Sequence, residues 1–492
     1  MAPVFKDSAA AAVRALQQWY QADSFAKSTG LYHYDDQTFS ATDKYFLNLG
    51  GYLNAAGDMR RWWNSANAIT ALIDYISITK DYTYIDAVYE TFANAQNGYT
   101  VSISVTTAAA VTTGIAGAAV GAALGPVVLG PVGAILGPAL GFLGGGAAGA
   151  AVAAATFART YYTNFLNSFY DDEGWWALAL IRGYDLTKVE KYLEQAVYIF
   201  NDMAGGWDRA CNGGIYWGKD HKDPSGKYSP YKNAIANELF VAVGAALYLR
   251  FKAFNPGEPV PASVQAYLTW AIDEWQWFYS SGLINGKHLI NDSLTTSQSE
   301  MPCINDGTQA VWTYNQGVIL GALCDLAEST GNQTYLGWAE KIADAFIQNP
   351  VFVSSQASTA SESGINNGIL AEFTDLGPDQ SIDHVQFKGI FVRNLAYLFT
   401  KTHNPRYRAF LMKNATSALQ YMNGSNEFGR RWDAPVDTAD FIRQTAALDL
   451  LNAAMVVQSV AADLSYLEPL LLNDQHDPTD MSYLDPLLLN HH

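Results

Sequence analysis

Six segments of this chain begin with polar or aromatic residues and continue as helices of Ala, Gly and branched apolar residues. That repetition limits the folds open to it. They are WWNSANAITALIDYISI from Trp62, WWALALIRGYDLT from Trp175, KNAIANELFVAVGAALYL from Lys232, WTYNQGVILGALCDLAEST from Trp312, KGIFVRNLAYLFTKT from Lys388 and RQTAALDLLNAAMVV from Arg443. Their apolar residues recur at helical rather than alternating spacing, and their small residues and few charges predict burial on most sides. Amphipathic partners follow: YTYIDAVYETF, EKYLEQAVYIF, ASVQAYLTWAIDEWQWF, QTYLGWAEKIADAF and PRYRAFLMKNATSALQYM. With the N-terminal FKDSAAAAVRALQQWYQ they make six outer helices for six inner ones. The expectation is an all-α (α/α)6 barrel of six helical hairpins, with the polar heads of the inner helices converging at one end. An open solenoid would need more regular repeats and capping ends.

One stretch breaks the pattern. From Thr91 to Ala158 there is no charged residue, and its centre is Gly, Ala and branched apolar side chains, with glycines four apart at Gly117, Gly121 and Gly125 and again from Gly133 to Gly149. Small residues at that spacing let helices approach closely. The expectation is a Gly/Ala-rich helical insertion over 101–156, its close-packed hairpin running from about Val111 to Ala155 with turns at Pro126, Pro131 or Pro138. Its uncharged length raises membrane or cell-wall association through 111–155, although no Lys/Arg cluster flanks it. The barrel then occupies 1–462, interrupted by 101–156. A tail over 463–492 carries the duplication SYLEPLLLN and SYLDPLLLN, expected to dock on the barrel or on a partner.

A net charge of −18 argues against nucleic acid, whose phosphates need Lys and Arg, and favours a neutral substrate. The 13 Trp and 29 Tyr suit sugar binding, since aromatic faces are apolar and edges polar; they equally suit a bulky core. No cysteine or histidine spacing suggests zinc and no carboxylate cluster has calcium-loop spacing, so no metal and no cofactor is expected. Cys324 lies in an apolar helix and reads as a core thiol. Cys211 and Cys303 lie in polar loops and are expected to pair, which implies an oxidising compartment. The N-terminus lacks the charged and apolar regions of a secretory signal, so export is not written in this stretch.

The acids Asp171 and Asp172 stand together in FYDDEGWWALALIRGYDLT, at the head of the second inner helix. Neighbours at a helix start diverge by about 100° around the axis, so their carboxyl groups can flank one sugar. A retaining glycosidase needs two carboxyls roughly 5–5.5 Å apart. A bare Asp-Asp is also an ordinary solvated helix cap.

Seven runs together decide between these readings. WWNSANAITALIDY, FYDDEGWWALALIRGYDLT, CNGGIYWGKD, YKNAIANELFVAVGAALYLR, TYNQGVILGAL, FKGIFVRNLAYL and QTAALDLLNAA occur in family order between Trp62 and Ala454, and together they resemble glycoside hydrolase family 76. The resemblance implies an endo-acting retaining α-1,6-mannanase on an (α/α)6 barrel, working on α-mannan or manno-oligosaccharides through a covalent glycosyl-enzyme intermediate. Asp171 would be the nucleophile, kept ionised by helix N-terminal amides, and Asp172 the acid/base, its pKa raised beside that anion. Trp62, Trp63, Trp175, Trp176, Trp217 and Trp432 are candidate stacking platforms. Asn67, Asn233, Asn237, Asn315 and Gln444 bring amides near the inner-helix heads. Asp208, Asp292 and Tyr314 are candidates for the subsites before the cleaved bond, and Lys388 is expected to pair with an acid. Two further functions share these features: a transglycosidase moving GPI glycans or wall mannan onto a sugar acceptor, and a non-catalytic sugar-binding or membrane-associated protein. A secreted or wall-associated enzyme is the expectation.

Overall fold

The computed structural model describes residues 2–21, 62–97, 99–107, 153–219, 231–254, 256–297, 300–304, 309–355, 361–377 and 383–465. The six small-residue segments form helices α2 (Trp62–Thr79), α4 (Tyr170–Thr187), α6 (Ala234–Lys252), α8 (Thr313–Thr330), α11 (Phe387–Thr402) and α13 (Phe441–Ser465). Each packs against the next, and α13 returns to α2, so the ring is closed. Their partners are α1 (Ala2–Gln21), α3 (Ile85–Asn97), α5 (Glu190–Gly205), α7 (Ala262–Ser280), α9 (Thr334–Phe346) and α12 (Pro405–Tyr421). A short helix, α10 (Phe373–Leu376), precedes α11. This is the expected (α/α)6 barrel.

Side-chain size explains which helices go inside. Gly317 on α8 and Gly389 on α11 sit at helix crossings, where an added methyl group would come within 2.6 Å of the Phe391 Cα and 2.7 Å of the Ala446 Cα respectively. The outer α5 instead buries one stripe, Leu193, Ala196, Ile199, Phe200 and Met203, at spacings of three and four. One described helix, α6, is long and apolar enough to cross a membrane, and 83% of that stretch is buried inside the barrel.

Polar links also close the ring, toward the C-terminal ends of the inner helices. Arg182 on α4 pairs with Asp74 on α2. Arg250 on α6 bonds Asp185 on α4 at 2.6 Å and lies 4.0 Å from Asp325 on α8. The Tyr397 hydroxyl on α11 donates to Asp325 at 2.6 Å, and Arg393 pairs with Asp449 on α13 at 2.8 Å. The Asn452 amide on α13 donates to the Ala71 carbonyl on α2 at 2.9 Å. Every neighbouring pair of inner helices is therefore joined by at least one polar contact. Such groups satisfy each other only in one arrangement of the staves, so the girdle opposes alternative packings.

The flanks of the Gly/Ala-rich insertion depart from expectation. They are strands, β1 (Tyr99–Thr107) and β2 (Ala153–Tyr162), paired antiparallel from Tyr99 opposite Tyr162 to Thr107 opposite Ala153. The helical reading of 101–156 therefore fails at both ends, and the expected hairpin does not reach Ala155 as helix. The run YTVSISVTT is rich in β-branched residues, which favour a pleated strand, and the glycine period of its neighbour concealed this. Residues 108–152 and the duplicated tail from 466 lie outside the described residues. Two more short hairpins, β3 (Thr295–Ser297) with β4 (Glu300–Ile304) and β5 (Gly364–Asn366) with β6 (Ile369–Ala371), lie in the loops between hairpins of helices.

Cys211 and Cys303 form a disulfide with Cα atoms 5.0 Å apart, and Cys324 is free and buried, as expected from their settings. The bond ties the loop after α5 to β4. Closing a long loop restricts the unfolded chain, and loss of such a bond typically costs about 2–5 kcal/mol. Cys211→Ser is expected to destabilise by that order in urea unfolding. Thiol titration of the denatured, unreduced wild type should find one free thiol; three would mean the bond is absent in solution.

Candidate active site

Short extended segments lace the heads of α4, α6 and α8 together and set the geometry around the acid pair. Ahead of α4, Phe169 bridges Gly218, with the Tyr170 amide donating to the Trp217 carbonyl at 3.0 Å and the Lys219 amide to the Ser168 carbonyl at 3.0 Å. The Trp217 amide in turn donates to Tyr231 at 2.8 Å. Asn233 bridges Ser293 and caps α6, its side chain accepting from the Ala236 amide at 3.3 Å. The Ala234 amide donates to the Asp292 carbonyl at 2.7 Å, and the Asp292 amide to the Ala310 carbonyl at 2.8 Å, just ahead of α8. The lacing brings residues far apart in sequence to one place.

Asp171 and Asp172 occupy the first turn of α4. The Trp217 indole donates to Asp171 at 3.0 Å, and the Asn167 amide donates to Asp172. Beyond Trp217 come Tyr231, whose hydroxyl donates to Asp292, then Asn315, whose amide lowers the Asp292 pKa. Tyr314 lies flat on Phe387, with ring centroids 3.8 Å apart and planes 7° apart. Trp63 packs near both Trp175 and Phe387, at 6.1 and 5.8 Å.

The electrostatics of this cluster differ from expectation. Burial pushes the Asp171 pKa up to about 7; the Trp217 indole and the amides of Asp172 and Asp171 pull it down, and Asp292 raises it further. Helix amides therefore stabilise the Asp171 anion as expected, but desolvation outweighs them. Burial also raises Asp292 against the bond from Tyr231 and the nearby Asn315 amide. Glu238, a turn deeper on α6 and fully buried, is raised by burial and by Asp292, and neither of its carboxylate oxygens has a hydrogen-bond partner. The Tyr314 hydroxyl is raised by burial and then by Asp292 and Asp171. The groups acting on Asp171 are thus neutral donors and another carboxylate. Carboxylates gathered at one place favour positive charge developing among them, which is what an oxocarbenium-like transition state brings.

The remaining candidates have other places. Trp62 and Trp176 are fully buried against each other, with centroids 4.7 Å apart, and Trp432 is buried beneath the Lys388 ammonium; none of the three presents a face for stacking. Trp175 is buried and faces the barrel axis below the acid pair. Asn67 donates to the Trp63 carbonyl and accepts from Arg393, bridging α2 and α11. Asn237 holds both backbone groups of Ile215. Gln444 ties the Phe428 amide to the Ala12 and Asn426 carbonyls. Asp208 accepts from Lys232 and Tyr216, both at 2.7 Å, pinning the CNGG loop; burial would raise its pKa, but these partners bring it below the ordinary value. Asn67, Asn237 and Gln444 are buried with their polar atoms engaged as ties between segments, whereas the Asp208 side chain is 45% exposed beside its partners. Lys388 pairs with Asp375, as expected.

Asn167, Tyr231, Glu238 and Phe387 belong to the site but were not singled out from sequence. Asn167 carried a local signal, five residues before Asp172. Among the described residues, no group of three or more His, Cys, Asp or Glu is arranged to hold a metal ion.

Comparison with known proteins gives a consistent picture. The profile described as Glycosyl hydrolase family 76 matches residues 149–465. A mannan endo-1,6-alpha-mannosidase, DCW1 of Candida glabrata, is 28% identical over 313 residues, covering 57% of this chain and 59% of that protein. DCW1 of Saccharomyces cerevisiae, also a mannan endo-1,6-alpha-mannosidase, is 25% identical over 311 residues with the same two coverages. The chain thus spans about three-fifths of the length of these relatives. In fold it is similar to an alpha-1,6-mannanase of Salegentibacter sp. HEL1_6, seen as an inactive variant with two consecutive aspartates changed to asparagine and in complex with alpha-1,6-mannotriose. The TM-score is 0.59 at 18% identity, over 92% of this chain and 99% of that one. Dfg5 of Chaetomium thermophilum, in complex with glucosamine, gives a TM-score of 0.61 at 17% identity, over 92% and 90%.

Proposed function

Because the chain belongs to glycosyl hydrolase family 76, we propose that it is an endo-acting glycosidase that cleaves α-1,6-mannosidic bonds in mannan with retention of configuration. The single observation that carries this reading is the adjacent pair Asp171 and Asp172, held in the first turn of α4 by Trp217 and Asn167 within a cluster of buried acids and phenols. Asp171 attacks the anomeric carbon and Asp172 protonates the leaving oxygen. Asp172 then deprotonates the water that releases the mannosyl group from Asp171. Tyr231, Asp292, Asn315 and Tyr314 line the sugar site before the cleaved bond, and the partly buried Trp63 and Trp217 supply aromatic surface. The relatives' activity on mannan and the acid-rich site, which would repel an anion, support a neutral mannan substrate. The Cys211–Cys303 bond supports an exported enzyme.

Two adjacent residues do not easily span the roughly 6.5–9.5 Å carboxyl gap of an inverting enzyme. Proton NMR of a fresh digest is therefore expected to show α-mannose ends first; initial β ends would refute the double-displacement scheme.

A nucleophile whose pKa is pushed up to about 7 must lose its proton before it can attack. Activity should therefore rise as pH passes through that region. In Trp217→Phe the donor that lowers this pKa is gone, so the acid limb should move to higher pH. Turnover should fall about 10- to 100-fold, the order of a hydrogen bond to a charged group. An unmoved limb in the pH–rate profile would separate Trp217 from Asp171.

A further inference from the structure

The inner face of the barrel holds a hollow on the opposite side of Trp175 from the acid pair. On α4 the positions Asp171, Trp175, Leu178 and Arg182 form one inward stripe, and on α6 the stripe runs Glu238, Ala242, Ala246 and Arg250, each spaced by three or four residues. The rear part of both stripes, with matching positions of the other four inner helices, encloses a cavity of about 310 Å³. That is the lower end of the range for small-molecule sites, and a space between helices is a common place for one. The girdle faces into it: Asp74, Arg182, Arg250, Asp325, Arg393 and Asp449 all line the cavity. Ile78 at its edge is 36% exposed, and the Arg182 and Arg250 side chains are 33% and 25% exposed, so the hollow is reached from the rear of the barrel.

We propose that this rear cavity is a second, non-catalytic binding site for a neutral polyol of hexose size. Each guanidinium of the girdle already faces a carboxylate, and Arg250 faces both Asp185 and Asp325, so a lone anion finds no uncompensated partner there. What the pairs still offer is a ring of carboxylate acceptors and guanidinium donors, and vicinal hydroxyls, which both donate and accept, complement such a ring. Trp175, Leu178 and Val318 supply apolar surface for the C–H side of the ligand. An independent observation points the same way: Asn452 lines the cavity and is 4% exposed, its amide nitrogen is used on Ala71, and its Oδ1 has no hydrogen-bond partner. A buried acceptor of that kind is satisfied by a water or by a ligand hydroxyl.

The test is calorimetric titration of the full chain with methyl α-D-mannopyranoside and with D-mannitol, and with sodium phosphate as the anion control. Two variants accompany it, Ala246→Phe, which fills the hollow, and Asn452→Ala, which removes the unpartnered acceptor. The wild type is expected to bind one of the polyols at a site that Ala246→Phe abolishes and Asn452→Ala weakens about tenfold, the order of one hydrogen bond. Turnover of α-1,6-mannotetraose, read separately, should stay within about twofold of wild type in both variants, so the proposed activity can fail without the rear site failing. Should Ala246→Phe not fold, the Asn452→Ala titration decides alone. Polyol binding unchanged in the folded variants, no polyol binding at all, or phosphate binding in place of polyol would each overturn the proposal.

Discussion

Asp171→Asn and Asp172→Asn are each expected to lower turnover of linear α-1,6-mannan by about 10³-fold or more while the protein stays folded. A positioned general acid or base alone contributes about 10²–10⁴-fold, and Asp171 is in addition the group that forms the covalent bond. The two changes are not additive, since either one stops the same sequence of steps. Stability should move the other way at Asp171. Burial raises the pKa of this acid to about 7, so the native state holds its proton more tightly than the unfolded chain does. Wild-type stability from this group is then highest in acid and falls as pH rises from the ordinary carboxylate range through about 7. Asparagine has no such penalty, so Asp171→Asn should equal or exceed the wild type in urea unfolding, by more at pH 8 than at pH 5. A variant that loses activity together with its fold would leave Asp171 a structural role instead.

The largest expected loss of stability is at Lys388. Its ammonium and the Asp375 carboxylate are both essentially unexposed, the ammonium also donates to the Arg430 carbonyl, and it lies 5.1 Å from the Trp432 ring centre. Breaking a buried pair by removing one partner leaves an uncompensated charge and typically costs about 3–5 kcal/mol. Lys388→Met should show a loss of that order. Glu372 sharpens the prediction. Its pKa is pushed up to about 8 by burial, against bonds from Ser363 and Thr313 and the nearby Lys388 charge. Without the lysine its folded pKa rises further, so the native state keeps its proton to higher pH and the deficit should grow as pH passes through about 8, read at about pH 7 and pH 9. The double variant Lys388→Met with Asp375→Leu should recover much of the loss, because an apolar pair leaves no charge behind. Equal losses at both pH values would place the effect in packing rather than charge.

What was legible in the sequence followed from side-chain size and period. Inner helices need small residues where backbones cross, as at Gly317 and Gly389, and outer helices need one apolar stripe, so the barrel could be written down from those patterns. The insertion was misread where two signals overlapped: a glycine period suggested helices, while YTVSISVTT pairs with the chain beyond Ala153 as strands. Aromatic residues were ambiguous for a physical reason. A tryptophan that stacks on a sugar and one that fills a core have the same local sequence, and only packing sends Trp62, Trp176 and Trp432 inside while Trp217 reaches Asp171. Amides behaved alike, since Asn237 and Gln444 are consumed by loop carbonyls and amides that a helix pattern does not show. Tyr231 and Glu238 become site residues only when the heads of α4, α6 and α8 are laced side by side, and Phe387 only when α11 stacks it on Tyr314. The girdle is equally silent in sequence, because each link joins residues on different helices.

The central claim is tested most directly by incubating the protein with linear α-1,6-manno-oligosaccharides and separating the products by size, with the Asp171→Asn, Asp172→Asn double variant run alongside. The predicted result is internal cleavage to shorter α-1,6-linked oligomers by the wild type and none by the double variant. Products longer than the substrate would make the enzyme a transglycosidase. An unchanged substrate, or the same cleavage by the double variant, would contradict the assignment of Asp171 and Asp172 as the catalytic pair of a mannan-cleaving enzyme.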